Sequence, residues 1–245
     1  MAYFIFVNIA AHWVTLPAAG NIGFVLAFTG FSLLHGARSL GCRRVALFFA
    51  LTVVISYIME EVGVRTGLVF GPYHYSDMLG SKFGNVPLLI PLGWFMMIYP
   101  SWVVGNALLS GVDLRRPVGA VVLALVAALA MTGWDMVMDP PMVAHGNWIW
   151  EQGGPYFGVP LHNYFGWVLT TFLVYLAFAA TDWSKSDGPA YRFGGIFAAL
   201  PVVIYTYFAL EYVVPGREPP LILIAIFTML FPGALALARL VLPRR

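Results

Sequence analysis

The chain has 245 residues, 60% of them hydrophobic and only 10% charged, with a formal net charge of +2. A water-soluble domain carries about 25% charged residues, so the charge here is too sparse to coat a soluble surface. A cytosolic globular enzyme, a disordered chain and a nucleic-acid binder are all excluded. The mean hydropathy of +0.83 points instead to one all-α membrane domain over residues 1–245, a polytopic transmembrane helix bundle.

In chain order, the first apolar segment is Tyr3–Leu16, short and punctuated by Pro17 and Gly20. It lacks the basic start of a cleaved leader. It is read as uncleaved, lying at the interface or forming an eighth span. Seven longer stretches follow, each close to the ~20 apolar residues that cross the hydrocarbon core. They are Gly20–Ala37, Arg44–Val62, Val86–Leu109, Val118–Met138, Leu161–Thr181, Phe193–Val214 and Leu221–Leu240.

Short cytoplasmic loops collect Lys and Arg. Ten of the thirteen basic residues fall after odd-numbered spans: Arg38, Arg43, Arg44, Arg115, Arg116, Lys185, Arg192, Arg239, Arg244 and Arg245. Arg65, Lys82 and Arg217 remain on the other side. The odd loops are therefore expected on the cytoplasmic side of a cell membrane and the N-terminus outside, and an eighth span would move the N-terminus inside without disturbing this split. The single cysteine, Cys42, makes no intrachain disulfide.

The outer loops 63–85 and 139–160 are long and rich in Gly, Pro and aromatics. Irregular backbone at membrane depth is tolerated where protein buries it or it lines a cavity, so both are expected to fold over one end of the bundle. Both carry an aromatic-Gly step, Phe70-Gly71 and Phe157-Gly158.

Five of the eleven acids gather at that end: Glu60 and Glu61, Asp135 and Asp139, and Glu211. Ionisable residues inside spans are costly and default to functional hypotheses. Asp135 and Asp139 are four apart, on one helix face and about 6 Å apart along the axis. Structural alternatives stand beside this. Asp139 precedes Pro140-Pro141 and can end a helix; Glu61 and Arg65 have ion-pair spacing; Glu211 can reach the interface. A carboxyl desolvated among aromatics beside a second acid holds a proton at neutral pH and becomes a general acid. With no nucleophile or cofactor motif, such an acid suits carbocation chemistry, the cation resting on aromatic faces. Tyr73, Tyr75, Trp94, Trp134, Trp148, Trp150, Tyr156 and Trp167 are the candidate lining, each also readable as interface belt or packing.

Other membrane chemistries fit less well. A retinal protein needs a lysine in its last span, and Leu221–Leu240 has none. The five histidines show no HxxxH spacing of the kind a di-iron enzyme uses. Asp135 and Asp139 supply at most one acidic pair for a Mg-dependent prenyltransferase, so no metal is expected.

Several motifs carry a resemblance. They are Glu61-Val-Gly-Val-Arg-Thr-Gly-Leu-Val-Phe-Gly-Pro-Tyr-His-Tyr, Val86-Pro-Leu-Leu-Ile-Pro-Leu-Gly-Trp94, Trp134-Asp-Met-Val-Met-Asp-Pro140, Trp148-Ile-Trp150 and Tyr156-Phe-Gly-Val-Pro-Leu-His-Asn-Tyr-Phe-Gly-Trp167. Together they resemble the CruF-type carotenoid 1,2-hydratases, the integral-membrane family that includes the haloarchaeal bisanhydrobacterioruberin hydratases. The likeness covers residues 57–167 well and the rest only as apolar spans. It implies cofactor-free addition of water across the terminal C1,C2 double bond of an acyclic carotenoid, giving a tertiary alcohol. The expected partners are the polyene, water, the lipid bilayer and other carotenoid-biosynthesis enzymes, with no nucleic acid.

On that basis Asp135 or Asp139 is expected to donate to C2, aromatic faces to hold the cation, and Glu61 or Asn163 to position the water. Two rivals stand: a membrane terpenoid cyclase or prenyltransferase, and a proton-coupled transporter or carotenoid-binding protein without chemistry.

Overall fold

The computed structural model describes residues 18–114, 117–182, 195–213 and 218–241. The Tyr3–Leu16 segment lies outside them, as do Arg115, Arg116, Lys185, Arg192, Arg217, Arg244 and Arg245. The described residues form seven helices: α1 (Ala18–Leu40), α2 (Cys42–Thr66), α3 (Leu89–Leu108), α4 (Pro117–Ala144), α5 (Leu161–Asp182), α6 (Gly195–Tyr212) and α7 (Pro219–Val241). Four are long and apolar enough to cross a membrane: α2, α4, α5 over Leu161–Thr181, and α7. Their outward faces are apolar. Val54, Ile58 and Val62 on α2, Leu125 and Leu129 on α4, and Leu161, Phe165, Leu169 and Leu173 on α5 are all exposed at helical spacing. Water would disfavour such stripes and hydrocarbon would not, so these helices fit an integral membrane protein.

Helix α3 is the axle. Every residue from Trp94 to Gly105 is buried, and it packs against α1, α2, α4, α6 and α7. Its expected start at Val86 moves to Leu89, because Val86–Pro87 is strand β3, paired antiparallel with β2 (Lys82–Phe83). The two outer loops are joined to each other. Strand β1 (Tyr73–Tyr75) pairs antiparallel with β4 (Trp148–Trp150), setting Tyr73 opposite Trp150 and Tyr75 opposite Trp148.

The fourth helix does not end at Asp139; it runs on through Pro140 and Pro141 to Ala144. A proline inside a helix leaves the carbonyl four residues earlier without its N–H partner, and in an apolar interior that carbonyl must be satisfied otherwise. Tyr156 Oη donates to the freed Met136 carbonyl at 2.7 Å. The same solution recurs at Pro100 and Pro201. Pro100 in α3 frees Met96 O, which accepts from Ser32 Oγ at 3.1 Å. Pro201 in α6 frees Phe197 O, 2.8 Å from His35 Nε2. At Pro232 in α7 the helix instead widens into a π turn over Ile226–Leu230, and the nearby Tyr205 Oη donates to Ala130 O at 2.7 Å, with Thr228 O farther off at 3.4 Å.

Pro100, Pro140 and Pro201 thus each tie their helix to a neighbouring element. Ser32→Ala should lower stability by roughly 1–2 kcal/mol by orphaning Met96 O. Ser32→Ala with Pro100→Ala should recover most of it, because residue 100 then supplies its own N–H. Thermal unfolding in detergent reads both; equal losses for the single and double variants would refute the coupling.

Candidate active site

Glu60 and Glu61 are neighbours in the chain, but a helix turns about 100° per residue, and they face different surroundings. Glu60 is buried and accepts three bonds from neutral donors. Tyr73 Oη and Tyr75 Oη (2.7 Å) donate to Oε2, and Trp94 Nε1 donates to Oε1 at 2.9 Å. Strand β1 arranges this: its two-residue alternation turns Tyr73 and Tyr75 inward together and leaves His74 exposed. Glu61 faces the rim. It pairs with Arg65 at 2.6 Å and accepts from the Asn85 backbone N–H at 2.8 Å and side-chain amide at 3.0 Å. It ties the end of α2 to the β2–β3 hairpin.

Asp135 and Asp139 lie on one face of α4, and α5, the helix most extensively packed against α4, presents Asn163 to both. The Asn163 side-chain amide donates to Asp139 Oδ2 at 2.7 Å and to Asp135 Oδ2 at 3.1 Å, so one residue bridges the pair. Trp148 Nε1 donates to Asp139 Oδ1 at 2.6 Å. Both oxygens of Asp139 are therefore occupied. Asp135, 0% exposed, has its Oδ1 without a protein partner. All donors to Glu60, Asp135 and Asp139 are neutral.

Aromatic rings wall this end. Trp94 stacks on Trp167 with centroids 4.0 Å apart, and Trp134 meets Trp167 edge-on at 6.1 Å. Tyr73 lies 4.8 Å from Trp150, and Tyr75 lies edge-on to Trp148 at 6.2 Å. Burial pushes the Tyr73 hydroxyl well above its usual value, as do the nearby carboxyls of Glu60 and Asp139. Burial and Glu60 do the same to Tyr75. Tyr156 is raised by burial and by both Asp135 and Asp139. These phenols stay protonated at physiological pH and remain donors. Tyr75 bonds Glu60 and its ring meets Trp148, which bonds Asp139, so the α2 and α4 acids share one neighbourhood.

Of the expected residues, the fold thus gathers Asp135, Asp139, Asn163, Tyr73, Tyr75, Trp94, Trp134, Trp148, Trp150 and Trp167. Glu61 stands apart at the rim, and Glu211 sits in the last turn of α6. Two further residues belong to this neighbourhood. Glu60 takes the interior position, and the Tyr-x-Tyr alternation of residues 73–75 was the signal for its donors. Tyr164, whose buried hydroxyl has no protein partner, lies edge-on to Tyr156 at 5.3 Å. Among the described residues, no three His, Cys, Asp or Glu side chains converge as a metal-ligand set.

The adjacent glutamates should respond oppositely to removal. Glu60→Ala strands three buried donors and should cost roughly 3 kcal/mol or more. Glu61→Ala breaks an exposed ion pair and two rim hydrogen bonds, and should cost about 1 kcal/mol or less. Chemical unfolding of both variants checks this; equal losses would contradict the assignment of Glu60 to the interior.

A family model described as "Carotenoid biosynthesis protein" matches residues 20–232. A bisanhydrobacterioruberin hydratase from Haloarcula japonica is 34% identical over 166 residues, 66% of this chain and 55% of that protein. The chain thus aligns with little more than half the length of that curated relative. No solved structure matches. With the motifs of residues 57–167 falling inside the matched region, the chain belongs to the carotenoid biosynthesis protein family, the one that includes the bisanhydrobacterioruberin hydratases.

Proposed function

We propose that this protein is a carotenoid hydratase with seven membrane spans and its active end on the outer side, adding water across the terminal C1,C2 double bond of an acyclic carotenoid. The observation that carries the reading is the Asp135–Asn163–Asp139 bridge, two buried acids held by neutral donors beneath stacked indoles. A relative that is a hydratase supports the reaction class.

Asp139 accepts N–H bonds on both oxygens, the pattern that suits a carboxylate. Asp135 has an uncommitted oxygen, which is where we place the shared proton. Asp135 gives that proton to C2 of the terminal alkene. The π pair forms the new C–H bond and leaves a tertiary cation at C1. The faces of Trp94, Trp134 and Trp167 stabilise it electrostatically. Water attacks C1, forming the C–O bond, and its excess proton returns to the Asp135/Asp139 pair. The cycle closes with no net proton change and one water consumed. Glu60, held by two phenols and an indole, fixes the wall of the site, and Glu61 locks the rim. The apolar polyene enters from the bilayer, where its hydrocarbon is better solvated than in water.

The test is incubation of the protein in lipid vesicles with lycopene or γ-carotene in ¹⁸O-water. The expected product is one water heavier, with the label in its hydroxyl. Asp135→Asn should lower the rate by about 10²–10⁴-fold, the usual share of a positioned general acid. Full conversion by the Asp135→Asn, Asp139→Asn double variant would overturn the acid assignment. An unlabelled, cyclised or isomerised hydrocarbon would replace hydration by another cation reaction.

A further inference from the structure

Threonines in apolar helices usually return their hydroxyl to a carbonyl three or four residues back, and most in this chain do. Thr52, Thr66, Thr171, Thr206 and Thr228 donate to the carbonyl at i−4 and Thr181 to the carbonyl at i−3, while Thr29 reaches across to Leu92 O. Two helical threonines differ. Thr132 Oγ1 and Thr170 Oγ1 are buried, at 5% and 0% exposure, and have no protein partner. Leaving a buried hydroxyl unpaired is costly, so these two positions require an explanation.

Their places in the helices supply one. Asp139 on α4 touches Asn163 on α5. Thr132 lies seven residues before Asp139, and Thr170 seven after Asn163. Seven residues are two helical turns, which returns each threonine to the face of its helix that bears the contact. The helices are antiparallel neighbours, so both steps run inward by the same amount, about 10 Å. By this count Thr132 and Thr170 fall at one depth, each on the face of its helix that carries the Asp139–Asn163 contact of the α4–α5 seam. Between them and the Asp139–Asn163 contact sits Asp135, one turn above Thr132, whose Oδ1 is also unpartnered.

We infer that Thr132, Thr170 and Asp135 form the binding site for the nucleophilic water, and for the product hydroxyl that its oxygen becomes. A buried water typically makes about three hydrogen bonds to otherwise unsatisfied groups, and this seam offers three. The hydroxyls can donate to the water's lone pairs or accept its protons, so they hold the oxygen in either protonation state. Located deeper than Asp135, the water approaches from the inner side while the proton is delivered at Asp135 itself. Thr132 and Thr170 are positioning residues. The inference rests on the hydratase reading for its chemistry, though the water site itself does not.

Two measurements separate these. A high-resolution structure of the full chain should show an ordered water bonded to Thr132, Thr170 and Asp135, lost in the Thr132→Val, Thr170→Val variant. In the labelled-water assay, that variant should hydrate at least ~10-fold more slowly at unchanged carotenoid KM, as expected when a positioned reactant is lost. The Thr132→Ser, Thr170→Ser variant should keep the wild-type rate. A seam without ordered water, or a folded double-valine variant at full rate, would overturn the inference. A wild-type protein that holds the water and hydrates no carotenoid would retain the site and refute the hydratase reading.

Discussion

Among the described residues, three carboxyls are buried at one end of this helix bundle, and no cation bonds to any of them. That is the constraint around which the end of the molecule is organised. An isolated ionised carboxylate in an apolar interior is very costly, and a buried ion pair is only one remedy. Here the remedy is neutral hydrogen-bond donors. Tyr73, Tyr75 and Trp94 serve Glu60; Trp148 serves Asp139; Asn163 serves Asp135 and Asp139 together. The donors come from both outer loops and from α3 and α5, so satisfying the acids also closes the end of the fold. The β1–β4 pairing is part of the same device, since it sets the phenols of one loop against the indoles of the other.

The backbone obeys the same rule at the prolines. Pro100, Pro140 and Pro201 each free a carbonyl that lies within reach of a side-chain donor from a neighbouring element. Tyr156 links the two systems, because it caps Met136 O one residue along α4 from Asp135 while its hydroxyl feels both aspartates. A helix that would otherwise break at Pro140-Pro141 can then continue past Asp139, keeping both aspartates on regular helix and one face.

Much of this was legible in the sequence. The apolar runs match the seven described helices, and the four-residue spacing of Asp135 and Asp139 places them side by side on one helix face. What escaped was non-local. Whether Glu60 or Glu61 faces inward depends on the rotation of α2 against its neighbours, which adjacent acids in one sequence do not disclose; the Arg65 spacing correctly marked Glu61 for a helix-end pair. The continuation through Pro140 depends on a hydroxyl sixteen residues later. The strand pairing of Tyr73 with Trp150 spans the intervening α3 and α4, and runs of two or three residues carry too little periodicity to announce it. Thr132 and Thr170 look like ordinary small helix residues until their hydroxyls are traced.

The chemistry follows from an asymmetry within one pair. Asp139 has both oxygens engaged and Asp135 has one uncommitted, and the proposed mechanism places the shared proton on Asp135. Everything proposed about catalysis depends on that proton. Infrared difference spectroscopy of the protein at neutral pH tests it most directly, through the carbonyl stretch of a protonated carboxylic acid. The account predicts such a band in the wild type, lost in Asp135→Asn and retained in Asp139→Asn. A spectrum that Asp135→Asn leaves unchanged would contradict it.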